Sequence, residues 1–298
     1  YISDSISEND LQVLLDTLVQ PDAYIRTAVL ESFDAEFTFN GGSICELFIA
    51  TFDKDPQCQQ LALDIWEEGG FEKPSFSELL QFANNKDNGL RLSIAESLAD
   101  ISLSTGKIAP LYDHYREMVK PPSKVYDEYG LEVKSEQPQD RWENRSTVAL
   151  ALNEIVPEDV KELVTFLIQE PAALADQKDE VREELQEAGL TTINRRGNEF
   201  MEELIPIFEA CLSSKSTGKT QDKVRESTII LYGALARHLP ASDPRLLTIL
   251  DRLLLTLDTP AEGVQQSISR CISPLVQKID PSQYFAQLLT KLFEGKSL

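Results

Sequence analysis

Apolar residues recur along this chain at helical spacing, and the same spacing returns at intervals. Val181, Leu185, Ala188 and Thr192 stand at offsets of zero, four, seven and eleven, and Val224, Thr228, Leu231 and Leu235 repeat them, as do Val264, Ile268, Cys271 and Leu275. Leu90, Ile94, Leu98 and Ile101 mark a similar stripe, Cys58, Ala62 and Ile65 begin the series, as do Ile25 and Val29, and Asn144, Val148, Ala151 and Ile155 fit it with a polar first member. This spacing lays an apolar stripe along one face of an α-helix. Upstream of each such helix lies a second apolar helical stretch: Leu11 to Val19, Ile44 to Phe52, Phe76 to Ala83, Ile108 to Met118, Val160 to Ile168, Met201 to Leu212 and Leu246 to Leu257. The unit is helix A, a turn, helix B.

The first members of the B stripes, at 25, 58, 90, 144, 181, 224 and 264, are separated by 33, 32, 54, 37, 43 and 40 residues. That range fits HEAT- or armadillo-type helix pairs rather than the tighter tetratricopeptide period. A single pair cannot bury its apolar faces alone, so the pairs are expected to stack around one continuous core. The predicted fold is all-α: one α-solenoid segment over 1–298, with helix pairs at about 8–37, 43–69, 75–104, 108–156, 160–195, 200–239 and 244–279. A partial unit over 281–298 completes it. The chain opens on Tyr1, and the expectation is an internal piece of a longer protein.

The residue after each first member is basic or an amide, including Arg26, Arg91, Arg145, Arg182 and Arg225, and an aspartate often stands two or three places before the first member: Asp22, Asp55, Asp87, Asp179 and Asp222. Aspartate is a good N-cap, and its charge suits a helix N-terminus. The arginines and aspartates are expected to form a structural ladder between neighbouring repeats rather than to touch a partner.

The irregularities carry more information than the repeats. Three A–B connections are extended: Lys120 to Asp140, Pro171 to Asp179, and Ser213 to Gln221. All three leave the same edge of the stack, and insertions confined to one face often mark a binding face. The 120–140 insertion opens on Lys120, enters through Pro121-Pro122 and carries Tyr126 and Tyr129, so it suits a tethered docking peptide. The third connection concentrates Lys215, Lys219 and Lys223, a locally basic stretch in an acidic chain, and Arg195-Arg196 forms a second basic pair at the end of a B helix. These are the candidate partner-binding residues.

Charge narrows the function. The chain of 298 residues has 28 Lys+Arg against 50 Asp+Glu, a net charge of −22. That balance excludes a generally basic DNA or RNA binder and disfavours anionic membrane surfaces. Acidic faces favour basic protein surfaces instead. No apolar run approaches the length of a membrane span. The 13 Gly and 15 Pro are few for this length and fit a helical architecture. Cys45, Cys58, Cys211 and Cys271 form no C-x-x-C pair and read as reduced core thiols.

Nothing argues for an enzyme, a metal or a cofactor. His114 and His238 are the two histidines, lie in different repeats and lack ligand spacing. His238 is placed in the last turn of its helix, where a cation is favoured. Ser216-Thr217-Gly218-Lys219-Thr220 resembles the end of a nucleotide-binding loop. A phosphate cradle needs a strand before it and an earlier glycine, and here a helix precedes and Ser213 holds the glycine position.

Several segments, in order, resemble one family. Asp140-Arg141-Trp142-Glu143-Asn144-Arg145 is followed by Val148 to Asn153, Phe166-Leu167-Ile168 by Val181 to Gly189, and Glu203 to Glu209 by Val224-Arg225-Glu226-Ser227 and Gly233 to Leu239. These are similar to the large HEAT-repeat translational activator of the general amino-acid control pathway, most clearly from Pro121 onward. The resemblance implies a cytoplasmic, non-enzymatic scaffold that rides on translating or stalled ribosomes. It implies three partners: the ribosome through its proteins with local RNA contact, the starvation-responsive kinase of initiation factor two alpha, and an ABC-type ATPase reached through the full-length protein. Without the resemblance, the repeats read equally as a general HEAT adaptor, such as a transport receptor or phosphatase scaffold.

Overall fold

The computed structural model describes residues 8–33, 44–119, 140–169, 171–214, 218–257, 262–280, 285 and 289. Two compact units divide the chain, Tyr1–Ile155 and Val156–Leu298. All regular structure among the described residues is helical, and the helices alternate as A and B members of stacked pairs.

In the first unit the pairs are α1 (Glu8–Thr17) with α2 (Ala23–Ser32), and α3 (Cys45–Ala50) with α4 (Pro56–Gly69). Next comes α5 (Phe76–Leu79), extended by a 3₁₀ turn at Leu80–Phe82, with α6 (Asn88–Thr105), then α7 (Ala109–Val119) with α8 (Trp142–Ile155). Helix A of the third pair is thus short, its 3₁₀ turn ending at Phe82 just before Ala83 and the polar run Asn84-Asn85-Lys86. B helices stack on B helices, α2 on α4 and α6 on α8, and α3 wedges against α4 and α6.

Three B helices start as the aspartates predict. The Asp22 carboxylate accepts the Tyr24 and Ile25 N–H groups, Asp55 those of Gln57 and Cys58, and Asp87 that of Leu90. Each satisfies donors that helix geometry leaves unpaired. The α4 and α6 helices end on left-handed Gly70 (φ 58°) and Gly106 (φ 66°), a conformation glycine adopts without a Cβ penalty. The core of the first pairs joins Leu11 and Leu15 of α1, and Leu18 just beyond it, to Leu30, Leu47, Cys58 and Ala62.

In the second unit the pairs are α9 (Val160–Ile168) with α10 (Asp179–Arg196), α11 (Met201–Ser213) with α12 (Lys219–Ala236), and α13 (Arg245–Thr256) with α14 (Glu262–Val276). The connection 171–178 is no free loop. It contains a 3₁₀ turn at Ala173–Ala175 whose Ala173 and Leu174 are fully buried against α9, α10 and α12. The α10, α12 and α14 helices run parallel: Asp179 at the start of α10 faces Lys223 near the start of α12, and Ile193 faces His238 at their far ends. The B helices approach closely where glycine permits it. A Cβ on Gly233 of α12 would lie 2.6 Å from Cys271 Sγ of α14.

Two aspartates do not take the expected capping place. Asp179 is the first residue inside α10, whose N-cap is Lys178, and Asp222 lies in the first turn of α12, whose N-cap is Gly218. In the first case Asp176 has turned the chain one step earlier by accepting the Lys178 N–H at 2.9 Å. His238 lies two residues beyond the end of α12, not within its last turn. The last predicted partial unit, 281–298, falls almost wholly outside the described residues.

Candidate functional site

The arginines that follow the first stripe members of α2, α6, α8, α10 and α12 act first on their own turn. Arg26 donates to the carbonyls of Gln20 and Pro21 at 2.8 and 2.9 Å, Arg91 to those of Asn85 and Lys86 at 3.2 and 2.9 Å, and Arg182 to that of Asp176 at 2.9 Å. These carbonyls close the A–B turn five and six residues upstream, so the guanidinium fork clamps the turn to the helix. Arg145 forms a two-pronged pair with Asp140 at 2.7 and 3.1 Å, and Arg225 reaches the Ser214 carbonyl and Asp222.

Links between repeats use a subset of these groups. Arg26 also spans to Asp53 of the second pair. The Arg91 guanidinium carbon lies 5.1 Å from the ring centre of Trp142, the first residue of α8. Asp179 takes Arg182 from its own helix and Lys223 Nζ, at 3.2 Å, from the next repeat. Those cations hold its carboxyl below the usual range, Arg182 more strongly than Lys223. Lys54–Glu96 and Lys73–Asp100 join the second repeat to the third. Asp53, Glu96 and Asp100 carry no signal in the repeat pattern; Asp53 sits two residues before the capping Asp55, where the pattern singles out only the cap.

The candidate contact residues divide by place. Lys120, Tyr126, Tyr129 and Lys215 lie outside the described residues. Lys219, the first residue of α12, is exposed, whereas Lys223 one turn later is half-buried and committed to Asp179. Arg195 is exposed in the last turn of α10, and Arg196 lies 3.8 Å from Glu158. Arg195 is sixteen residues along α10 from Asp179, about 24 Å by helical rise. The two basic groups therefore sit at opposite ends of the stacked B helices and form no single patch. Gly218 precedes α12 at φ 140°, and Lys219 and Thr220 of the phosphate-loop-like run are the first two residues of that helix; Ser216 and Thr217 lie outside the described residues.

Other polar features are structural. Burial raises the thiols of Cys58 and Cys211, and pushes that of Cys271 up to about 11, which suits unreactive core cysteines. His114 is half-buried on α7, and burial lowers its pKa. His238 places Nε2 at 2.8 Å from the Ile193 carbonyl. A groove of about 440 Å³ between α2 and the start of α4 is lined by Tyr24, Thr27, Glu31, Asp55 and Gln57. Among the described residues no three or more metal-ligating side chains gather, and no helix is long and apolar enough to cross a membrane.

The chain matches a protein family described as the HEAT repeats of the stalled ribosome sensor GCN1, over residues 32–237. It is 36% identical to the eIF-2-alpha kinase activator GCN1 of Saccharomyces cerevisiae across 98% of its own length. It is 31% identical to the stalled ribosome sensor GCN1 of Homo sapiens across 97%, and 31% identical to Protein ILITYHIA of Arabidopsis thaliana across 84%. The chain spans 12% of the length of the yeast and human proteins and 9% of the plant protein. No solved structure matches it. This chain of helix pairs, aligned with the yeast and human proteins over nearly all of its own length, belongs to the GCN1 HEAT-repeat family.

Proposed function

We propose that this chain is a non-catalytic scaffold segment of a cytoplasmic stalled-ribosome sensor, one that activates the kinase of initiation factor two alpha during amino-acid starvation. The observation that carries the reading is the colinear likeness, over 98% of the chain, to a relative named for activating that kinase. The human relative, named as a stalled ribosome sensor, matches over nearly the same span. The fold supports it, because stacked helix pairs extend a protein over long distances while each pair contacts only its neighbours. A charge of −22 directs the segment toward basic ribosomal-protein surfaces, with exposed Lys219 and Arg195 as the places where local RNA contact is feasible. An ABC-type ATPase is engaged through other parts of the full-length protein.

The test is a replacement. In the full-length protein this segment is exchanged for the same number of helix pairs from an unrelated HEAT protein, and phosphorylated initiation factor two alpha is measured after starvation. Loss of the response with normal protein abundance is expected. A full response would reduce the segment to an interchangeable spacer.

A further inference from the structure

Three B helices of the first unit, α4, α6 and α8, end alike. The residue after the last helical one takes the left-handed conformation and turns the chain toward the next helix A. After α4 and α6 it is glycine, Gly70 at φ 58° and Gly106 at φ 66°; after α8 it is Val156 at φ 48°. Among the described residues Val156 is the one non-glycine residue with a positive φ. Glycine sits there freely because it has no Cβ, whereas a β-branched side chain meets its own backbone. The next residue is Pro157, and a proline pushes the residue before it toward extended backbone. Valine at this place is opposed twice, by its own branching and by its neighbour.

Packing on either side holds it there. Ile155, Pro157 and Val160, the first residue of α9, are all buried, so residues 156–159 connect two fixed points. Asp159 secures the far end by accepting the Glu162 N–H at 2.8 Å, which caps α9. A second cost lies in the last turn of α8. Asn153 Oδ1 is shielded from water and has no hydrogen-bond partner among the described residues. A buried acceptor in that state has lost its hydration without a replacement. Opening the last turn of α8 releases both costs: Val156 returns to extended backbone, and Asn153 regains water.

We propose that the α8–α9 turn is a sprung joint, in which strain at Val156 and the unpaired Asn153 Oδ1 make the end of α8 open locally before the ends of α4 and α6. Hinges are built from a few element-terminal residues that absorb a change of φ and ψ. Backbone strain of this kind persists only where the surrounding structure enforces it, and it concentrates at places that switch. The joint gives the chain a fixed place to bend while its helix pairs stay folded. The inference rests on backbone geometry and is independent of ribosome binding.

The test is amide hydrogen exchange of the 298-residue chain, read as protection at the ends of α4, α6 and α8. The unaltered chain is compared with Val156→Asn, Val156→Gly and Gly106→Val. In the unaltered chain the end of α8 is expected to be roughly tenfold less protected than the ends of α4 and α6. Asparagine and glycine both tolerate a positive φ, so both Val156 variants are expected to raise protection there toward the level of the other two ends, glycine more than asparagine. A Cβ on Gly106 meets nothing within 4 Å, so Gly106→Val is expected to lower protection at the end of α6 through backbone strain alone. Equal protection of the three ends in the unaltered chain overturns the proposal, as does an unaffected α6 end in Gly106→Val. Unchanged or lower protection of the α8 end in the two Val156 variants also overturns it, because packing of the half-buried valine would then govern that end.

Discussion

Arg26 of the first repeat lays its guanidinium across the carboxylate of Asp53 in the second, Nε to Oδ2 at 2.7 Å and Nη2 to Oδ1 at 2.9 Å. The side chains are 7% and 2% exposed. The remaining Arg26 nitrogen closes its own A–B turn, and Asp53 Oδ1 also accepts the Asp55 N–H at 2.8 Å. One ion pair therefore fixes a turn, a helix start and the junction of two repeats. Breaking such a pair by removing one member strands a buried charge, which costs about 3–5 kcal/mol. Arg26→Ala and Asp53→Ala are each expected to lower stability by that order in denaturant titrations. Arg26→Met with Asp53→Leu is expected to lose less than the two single changes together.

Glu46 tests burial without a cation. It is 4% exposed on α3, and Gln12 Nε2 donates to it at 3.0 Å while also donating to Asp16. Burial raises its pKa; its own N–H and Gln12 oppose the shift, and the Asp16 charge adds to it. The folded state thus holds the proton more tightly than the unfolded state. Charged Glu46 costs stability above its folded pKa, and stability recovers as pH falls through that value. Glu46→Gln is expected to raise the denaturation midpoint at neutral pH, with the advantage shrinking as the pH is lowered.

Gly233 sets the spacing of two parallel helices. An alanine there would place its Cβ 2.6 Å from Cys271 Sγ and 2.9 Å from Cys271 Cβ. Alanine gains up to about 1 kcal/mol in helix propensity, and overpacking a tight contact loses about 1–3 kcal/mol. The contact wins, so Gly233→Ala is expected to destabilise. A variant with unchanged or higher stability would show that α12 and α14 separate without cost.

His238 and Lys278 repeat one device. His238 Nε2 lies 2.8 Å from the Ile193 carbonyl near the end of α10, and Lys278 Nζ donates to the Leu239 carbonyl at 3.0 Å and to that of Arg237 just past α12. Each stands fourteen residues after the first member of its stripe and adds a side-chain contact to carbonyls at or just past the end of the preceding B helix; the Ile193 carbonyl also accepts the Gly197 N–H. His238→Ala is expected to cost about 1 kcal/mol in thermal or chemical unfolding.

The repeat pattern was legible because each B helix needs the same apolar row, and Asp22, Asp55 and Asp87 were legible as caps because an N-cap acts within three residues of sequence. Asp179 departs because Asp176 turns the chain one step earlier, a choice made by loop geometry. The arginine positions follow the repeat spacing, but their carbonyl partners depend on how each A–B turn folds back, which spacing does not encode. Arg26 reaches Asp53 across repeats while Arg182 keeps its hydrogen bonds within its own turn. Lys219 and Lys223 look alike in sequence. Packing of α10 beside α12 gives Lys223 a carboxylate and leaves Lys219 in water.

The measurement that bears most directly on the account is co-sedimentation of this chain with stalled ribosomes across a salt series, beside a Lys219→Glu, Arg195→Glu variant. These exposed sites lie away from the core, so the variant is expected to remain folded. Binding is expected to weaken as salt rises, with further loss in the variant. Absence of binding at low salt, or binding unaffected by both salt and the two charge reversals, would contradict it.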